Sequence, residues 1–208
     1  EIPDGGVFIR DGVIEAVGPS AELPQHALIT LGVQAGPPPV ANRTGISSAL
    51  KIGDDVYQID CGLGSLNAFT NAGLRFDQLR SLFITHLHTD HTAGYPDLIF
   101  TPWVLERPKP LKVFGPKGIQ NMTEHILKAY ETDIDFRIHG FEKANENGYK
   151  VETTDIQPGI IYQDDRVTVE AFPVSHGTLE SYGFKFTTPD KVIVISGDTA
   201  PLEIVAQK

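Results

Sequence analysis

Three histidines and an aspartate occupy six consecutive positions directly after an apolar stretch, in the segment FITHLHTDHTAG of residues 83–94. In an extended segment residues two apart point the same way, so His86 and His88 can converge on one point while Asp90 and His91 serve a neighbouring one. Imidazole and carboxylate groups are ligands that zinc, iron and manganese accept. The alternative is a solvated, histidine-rich loop, but four ligand-type residues in six positions favour a metal site.

Two later apolar segments also end on ligand-type residues. VTVEAFPVSH ends on His176, and VIVISGD ends on Asp198. Strand ends are where functional groups collect in folds of this kind. For His176 alone a structural role is an equal alternative, and the cluster at residues 86–91 favours the ligand role. The segment VIVI, apolar throughout, predicts a strand covered on both faces.

The charge balance bears on partners. The chain has 17 basic and 27 acidic residues and a formal net charge of −10, which repels polyanions at long range. Long nucleic acid is therefore a disfavoured partner. No run approaches eighteen apolar residues, so no membrane-spanning helix is predicted. The single cysteine, Cys61, excludes an internal disulfide and leaves the localisation open.

Turn residues divide the chain into short elements. VFIR and VIEAV flank Asp11 and Gly12, a pattern that predicts a hairpin within residues 1–26. A second hairpin of SSALKI and VYQID ends at Asp60, and helices are predicted near residues 66–72 and 118–130. Later strands complete the pattern of two packed sheets with helices outside. We therefore expect an N-terminal extension over 1–26 and one domain over 27–208.

These motifs resemble those of a known superfamily. THLHTDH, a later strand-end histidine and a strand followed by GDT are similar to the metallo-β-lactamase superfamily. YQIDCGLG, VFGPKG, SHGTLESYGF and SGDTAP resemble its ribonuclease Z-like and arylsulfatase-like branch. The resemblance runs from about residue 27 to the C-terminus. It implies an α+β fold, the αββα sandwich, with two divalent metal ions in a cleft at one edge.

The resemblance also implies a ligand set. His86, His88 and His176 would hold the first ion, Asp90 and His91 the second, and Asp198 would bridge them. Zinc is the expected metal, with manganese or iron as alternatives. Asp60 matches an aspartate that supports a ligand imidazole, and a turn-capping role is the equal alternative. Asp90 is in addition the candidate catalytic residue that orients the attacking water.

The predicted ligands define the chemistry. Two ions about 3.5 to 4 Å apart can hold a bridging water and lower its pKa from about 15.7 to about 7, which supplies hydroxide at neutral pH. One ion then orients the nucleophile while the other polarises the bound ester oxygen. We expect a hydrolase of small phosphodiesters or related esters. A lactam, lactone or thioester hydrolase and a non-catalytic metal-binding scaffold remain the alternatives.

The connection before VIVISGDT indicates a small-molecule substrate. Members of this branch that resemble true tRNA processors carry a long exosite arm there, whereas only residues 187–191 separate the two matching segments here. Arg43 and Lys117 are candidates for anion recognition, with a solvated surface role equally open. Trp103 and Tyr95 are candidates for the cleft wall, but core packing is the favoured role for Trp103.

The segment after SGDTAP is short. Related chains continue with a further ligand histidine and a His-Glu segment, whereas this sequence ends at Lys208. We therefore expect the C-terminal part of the domain, and one ligand of the second ion, to lie beyond residue 208. The resulting open edge is expected at residues 192–195 or a neighbouring strand. A homodimer that completes the sheet is the alternative account.

Overall fold

A computed structural model describes residues 5–10, 13–19, 26–38, 40–141 and 143–208, the first two ranges by their backbone alone. Strands β1 (Gly5–Arg10) and β2 (Val13–Pro19) pair antiparallel in a two-stranded sheet. They correspond to the arms of the predicted hairpin, whose turn residues Asp11 and Gly12 lie outside the described residues. The domain boundary near residue 26 stays a prediction.

The first large sheet has six strands in the order β3-β4-β5-β6-β7-β8. Strands β3 to β5 are antiparallel neighbours, and β5 to β8 are parallel. Because parallel strands end at the same edge of a sheet, residues that follow β5, β6 and β7 are brought to one rim. The strands are β3 (His26–Gly32), β4 (Ser47–Ile52), β5 (Asp55–Ile59), β6 (Leu79–Phe83), β7 (Leu111–Gly115) and β8 (Val151–Asp155).

The second large sheet is antiparallel, in the order β12-β11-β10-β9. The strands are β9 (Gly159–Gln163), β10 (Thr168–Pro173), β11 (Tyr182–Thr187) and β12 (Val192–Ile195). The prediction that VIVI is covered on both faces was wrong for the described part of the chain, in which none of its four residues is buried. Val192 is 54% exposed and the other three residues are half-buried. Within the described part of the chain, β12 pairs with β11 alone.

The main core lies between the two large sheets. Ile59 and Phe83 of the first sheet pack in one buried cluster with Val169, Phe184 and Phe186 of the second. The Phe83 ring lies 5.7 Å from that of Phe184 and 5.4 Å from that of Phe186. Burying each such ring contributes about 1.5–3 kcal/mol, so these contacts stabilise the position of the sheets and of the residues that follow β6.

Helices cover the outer face of the first sheet. Leu82 and Val113 of the sheet share a second buried cluster with Leu98 of helix α3. The helices are α1 (Ser65–Asn71), α2 (Thr89–Thr92), α3 (Tyr95–Val104), α4 (Ile119–Ala129), α5 (Glu131–His139) and α6 (Glu203–Ala206). Helices α1 and α4 lie close to their predicted positions. Among the described residues, none of the helices has the length and apolar character needed to cross a membrane.

Helix α3 has no counterpart in the sequence-based prediction, and Pro102 lies inside it. Proline lacks the N–H that would donate to the carbonyl of Leu98. The buried guanidinium of Arg107 compensates by donating to that carbonyl at 3.1 Å and to the carbonyl of Ile99 at 2.7 Å. A donor five residues beyond the proline therefore allows the helix to continue past it.

The cleft-wall role considered for Trp103 was wrong. Trp103 is 1% exposed in the cluster between α3 and the sheet, and its Nε1 donates to the carbonyl of Asn145 at 2.7 Å. Tyr95 is fully buried on the same helix, with its hydroxyl bonded to that of Thr123. Both aromatic rings lie on the face of α3 that packs on the sheet, so the role is core packing.

Candidate metal centre

The predicted ligands meet at one rim of the sandwich because each follows the end of a strand. His86 follows β6 by three residues, His176 follows β10 and Asp198 follows β12. Two groups of side chains bring their ligand atoms within 4.8 Å of one another. The first group is His86, His88 and His176, and the second is His86, His91 and Asp198. We call these residues together with Asp90 the metal centre.

The first group has the spacing of imidazole nitrogens around one ion. His88 Nδ1 lies 3.1 Å from His86 Nε2 and 3.1 Å from His176 Nε2. A tetrahedral zinc ion with Zn–N bonds of about 2.0–2.1 Å places its ligand nitrogens about 3.3 Å apart. Burial, reinforced by the neighbouring His91, lowers the pKa of His86 to about 4. The imidazole is therefore neutral at pH 7, the form that binds metal.

The second group contains an orphaned nitrogen. His91 is fully buried and its Nδ1 lies 2.8 Å from Asp60 Oδ2, while its Nε2 has no hydrogen-bond partner among the described residues. That Nε2 lies 3.6 Å from Asp198 Oδ1 and 3.8 Å from Asp90 Oδ2. Burial lowers the pKa of His91, but the hydrogen bond and charge of Asp60 outweigh it, so the pKa is raised. The site thus attracts positive charge, which a bound cation would supply.

Asp60 supports His91 from the buried side of the site. Its carboxylate is almost fully buried and accepts hydrogen bonds from the Thr85 amide at 2.8 Å and the Thr85 hydroxyl at 2.9 Å, as well as from His91. Burial raises the pKa of Asp60, and the bond to His91 opposes this. Its backbone has a φ of 58°, a left-handed conformation that costs about 1 kcal/mol or more. The contact required for the predicted support of a ligand imidazole is therefore present.

Helix α2 is held against the turn that follows Asp60. The Cys61 amide donates to the carbonyl of His91 at 2.7 Å, and the Gly94 amide donates to the carbonyl of Cys61 at 2.8 Å. A Cβ on Gly62 would lie 2.3 Å from the carbonyl oxygen of Asp90, so only glycine allows this approach. Cys61 is fully buried, and burial raises its pKa to about 12, as expected of a structural thiol.

A cavity of about 240 Å³ opens beside Asp90. Seven of its twelve lining residues are glycine or apolar, and Arg43 contributes the one basic side chain among them. The loop on its far side is tied to the metal centre, because the Gly36 amide donates to Asp90 Oδ2 at 2.8 Å. Of the two predicted cations, Arg43 thus lines a space next to the centre. Lys117 is exposed, and its amide lies 3.4 Å from a carboxylate oxygen of Glu180.

The sequence analysis missed two residues that contact members of the metal centre. Thr85 contacts Asp60 and His86, and Gly36 contacts Asp90. For Thr85 a signal exists, because it stands between the apolar strand and the first ligand histidine in FITHLH. For Gly36 we find none, because 54 residues separate it from its partner.

Comparisons with known proteins place the chain in a family. Residues 47–207 match the model of the family described as "Anti-Pycsar protein Apyc1". Ribonuclease Z of Mycolicibacterium gilvum is 31% identical over 177 residues, which cover 83% of this chain and 62% of that protein. Ribonuclease Z of Mycobacterium marinum is 32% identical over 177 residues, 83% of this chain and 63% of that protein. The chain thus spans less than two thirds of the length of these curated relatives.

Solved structures agree on the fold. Human tRNase Z, short form, superposes with a TM-score of 0.69 at 21% identity, covering 84% of this chain and 70% of that one. The metallo-β-lactamase fold protein YhfI from Bacillus subtilis gives 0.66 at 17% identity, covering 85% and 64%. The predicted fold class and resemblance are confirmed. The chain belongs to the metallo-β-lactamase superfamily, in its ribonuclease Z-like branch, and to the family described as anti-Pycsar protein Apyc1.

Proposed function

We propose that this chain carries the metal centre of a metal-dependent hydrolase that cleaves small phosphodiesters or related esters. The observation that carries the proposal is the convergence of two overlapping ligand groups at one rim, with the orphaned Nε2 of His91 between two carboxylates. Ribonuclease Z relatives at 31–32% identity support hydrolysis as the class of reaction.

The residues are proposed to hold two divalent ions. His86, His88 and His176 offer three imidazoles for one ion, which favours zinc over manganese or iron. Asp90 and His91 are proposed for the second ion, and Asp198 for the bridge. Divalent ions bound there would supply an activated water and polarise the scissile bond.

Asp90 is suited to orient the attacking water. Its side chain is 9% exposed and held by the Gly36 amide, so the carboxylate has one preferred direction. An oxygen fixed in this way accepts a hydrogen bond from water without reorganising during the reaction. Since Asp90 also lies on the wall of the 240 Å³ cavity, the water it orients would face a substrate group bound there.

Three observations support a small substrate. The cavity beside Asp90 has the size of a compact ester substituent, and Arg43 on its wall can pair with a phosphate oxygen. Strands β11 and β12 are joined by a tight turn in which the Thr188 amide donates to the carbonyl of Lys191 at 2.8 Å. An exosite arm is thus not inserted at that point, and the net charge of −10 disfavours a long polyanion.

The test begins with metal content. In the native protein we expect two zinc ions per chain, and His88→Ala should lose the ion of the first group along with the stability that it contributes. His125→Ala is the matched control, because His125 is exposed on α4 and its Nδ1 bonds to the carbonyl of Asn121. Full zinc content in His88→Ala would refute the ligand assignment.

The second part of the test is a substrate screen of activated phosphodiesters, lactones, lactams and thioesters. We expect the phosphodiesters to be cleaved with the highest kcat/KM. Preference for a lactam, lactone or thioester would replace the proposed substrate class while keeping the metal centre. One ion or fewer per chain, without hydrolysis of any activated ester, would instead indicate a non-catalytic scaffold.

A further inference from the structure

Thr85 is the junction between the two ligand groups. It is fully buried, and its hydroxyl oxygen lies 3.0 Å from His86 Nδ1 and 2.9 Å from Asp60 Oδ2. The same carboxylate oxygen lies 2.8 Å from His91 Nδ1. A continuous chain of hydrogen bonds therefore runs from His86 through Thr85 and Asp60 to His91.

The direction of each bond in this chain follows from the groups involved. Burial raises the pKa of Asp60, and the hydrogen bonds from His91 and Thr85 favour its ionised form. In that form the carboxylate only accepts, so the Thr85 hydroxyl donates its single proton to Asp60. The hydroxyl oxygen is then left as an acceptor, and His86 must carry its proton on Nδ1. His91 likewise donates from Nδ1 to Asp60. In its neutral form each histidine therefore carries its proton on Nδ1, and its Nε2 lone pair faces the metal centre.

The second sheet fixes the side chain of Thr85 in this orientation. A Cβ placed on Gly197 would lie 3.0 Å from both Cβ and Cγ2 of Thr85, so the segment that carries Asp198 packs directly on this side chain. The Tyr182 amide donates to the carbonyl of Thr85 at 3.0 Å. With its methyl group and backbone held from one side, the hydroxyl keeps its direction toward Asp60 and His86.

We infer that Thr85 is a positioning residue that selects the metal-binding tautomer of His86 and, through Asp60, links the two ligand groups. The inference rests on the proposed function in one respect only, that a metal ion occupies the first group. Its consequence is specific: removing the hydroxyl should weaken the ion proposed for His86, His88 and His176 more than the ion proposed for Asp90 and His91, because His91 keeps its own bond to Asp60.

The variants are chosen to separate positioning from packing. Thr85→Val keeps the shape and removes the hydroxyl, and it should weaken zinc binding at the first group by about 10- to 100-fold. Thr85→Ser restores the hydroxyl and should return the affinity to within a few-fold of the wild type. Thr123→Val is the matched control, because Thr123 is also buried and its hydroxyl bonds to Tyr95 and to the carbonyl of Ile119.

Two measurements decide the outcome. Zinc affinity is measured by competition with a chromophoric chelator, and the tautomer of His86 by long-range ¹H–¹⁵N correlation spectra of the metal-free protein. We expect His86 to carry its proton on Nδ1 in the wild type and Thr85→Ser, and to populate both tautomers in Thr85→Val.

The inference would be overturned if Thr85→Val kept the Nδ1–H tautomer, or if Thr123→Val weakened zinc binding as much as Thr85→Val. Failure of the proposed function gives a different result. A wild-type protein that binds zinc but hydrolyses no ester would leave both readouts for Thr85 valid.

Discussion

Replacing Asp60 by asparagine should separate metal binding from folding. The carboxylate accepts three hydrogen bonds, from the Thr85 amide, the Thr85 hydroxyl and His91 Nδ1. In Asp60→Asn the amide oxygen can keep the bond from the Thr85 amide, but its NH2 group then faces two donors. His91 can relieve this conflict only by moving its proton to Nε2, the nitrogen that is proposed to bind metal.

The size of the effect follows from these contacts. Holding His91 in the metal-binding tautomer would leave a buried donor unsatisfied, at a cost of about 1–3 kcal/mol. Since about 1.4 kcal/mol corresponds to a factor of ten, zinc affinity at the second group should fall by about 10- to 100-fold. The metal-free protein should lose less, because the substitution also removes a carboxylate whose pKa is raised by burial.

The assay compares zinc affinity, by chelator competition, with the free energy of unfolding of the metal-free protein in urea. Asp164→Asn is the matched control, because Asp164 accepts hydrogen bonds from the hydroxyls of Tyr57 and Tyr162 at 2.7 Å, outside the metal centre. We expect that variant to lose stability and to keep its zinc affinity. Wild-type affinity for both ions in Asp60→Asn would refute the reasoning.

The remaining predictions concern pH, packing and substrate. Burial lowers the pKa of His86 from 6.5 to about 4, so its contribution to the stability of the metal-free protein should be complete above pH 6.5 and lost as the pH falls towards 4. In urea, the difference in free energy of unfolding between wild type and His86→Gln should therefore narrow across this window. A difference that widens at low pH would contradict the expected sign. Gly62→Ala should displace α2 and release zinc, because its Cβ would lie 2.3 Å from the Asp90 carbonyl oxygen. Gly53→Ala is the control: nothing lies within 4 Å of its Cβ, so it should cost only about 1 kcal/mol of stability for its positive φ. Equal zinc content in the two variants would argue against the close approach at Gly62. An activated phosphodiester should be hydrolysed with a higher kcat/KM than precursor tRNA at fixed salt, and a strong preference for the tRNA would show that the short β11–β12 turn does not exclude it.

Local spacing made much of the centre predictable. His86 and His88 lie two residues apart directly after a strand, and side chains two apart in an extended segment point the same way, so their convergence could be expected without the fold. The two-sheet architecture was equally accessible, because short apolar strands between Gly and Pro turns set it. Helix α3 was not, since the compensation of Pro102 by Arg107 depends on how the loop after the helix folds back.

Only the tertiary structure decided how the centre is supported. Whether Asp60 caps its turn or supports an imidazole was an even choice from the sequence, and the parallel pairing of β5 with β6 brings it to Thr85 and His91. The position of Arg43 beside Asp90 likewise depends on the amide of Gly36, which is 54 residues from its acceptor. The ligand motif is local and can be recognised in the sequence, whereas the tautomers and orientations of its imidazoles depend on hydrogen bonds between distant segments. Those hydrogen bonds depend on how the sheets pack, which the residue pattern of a single segment does not reveal.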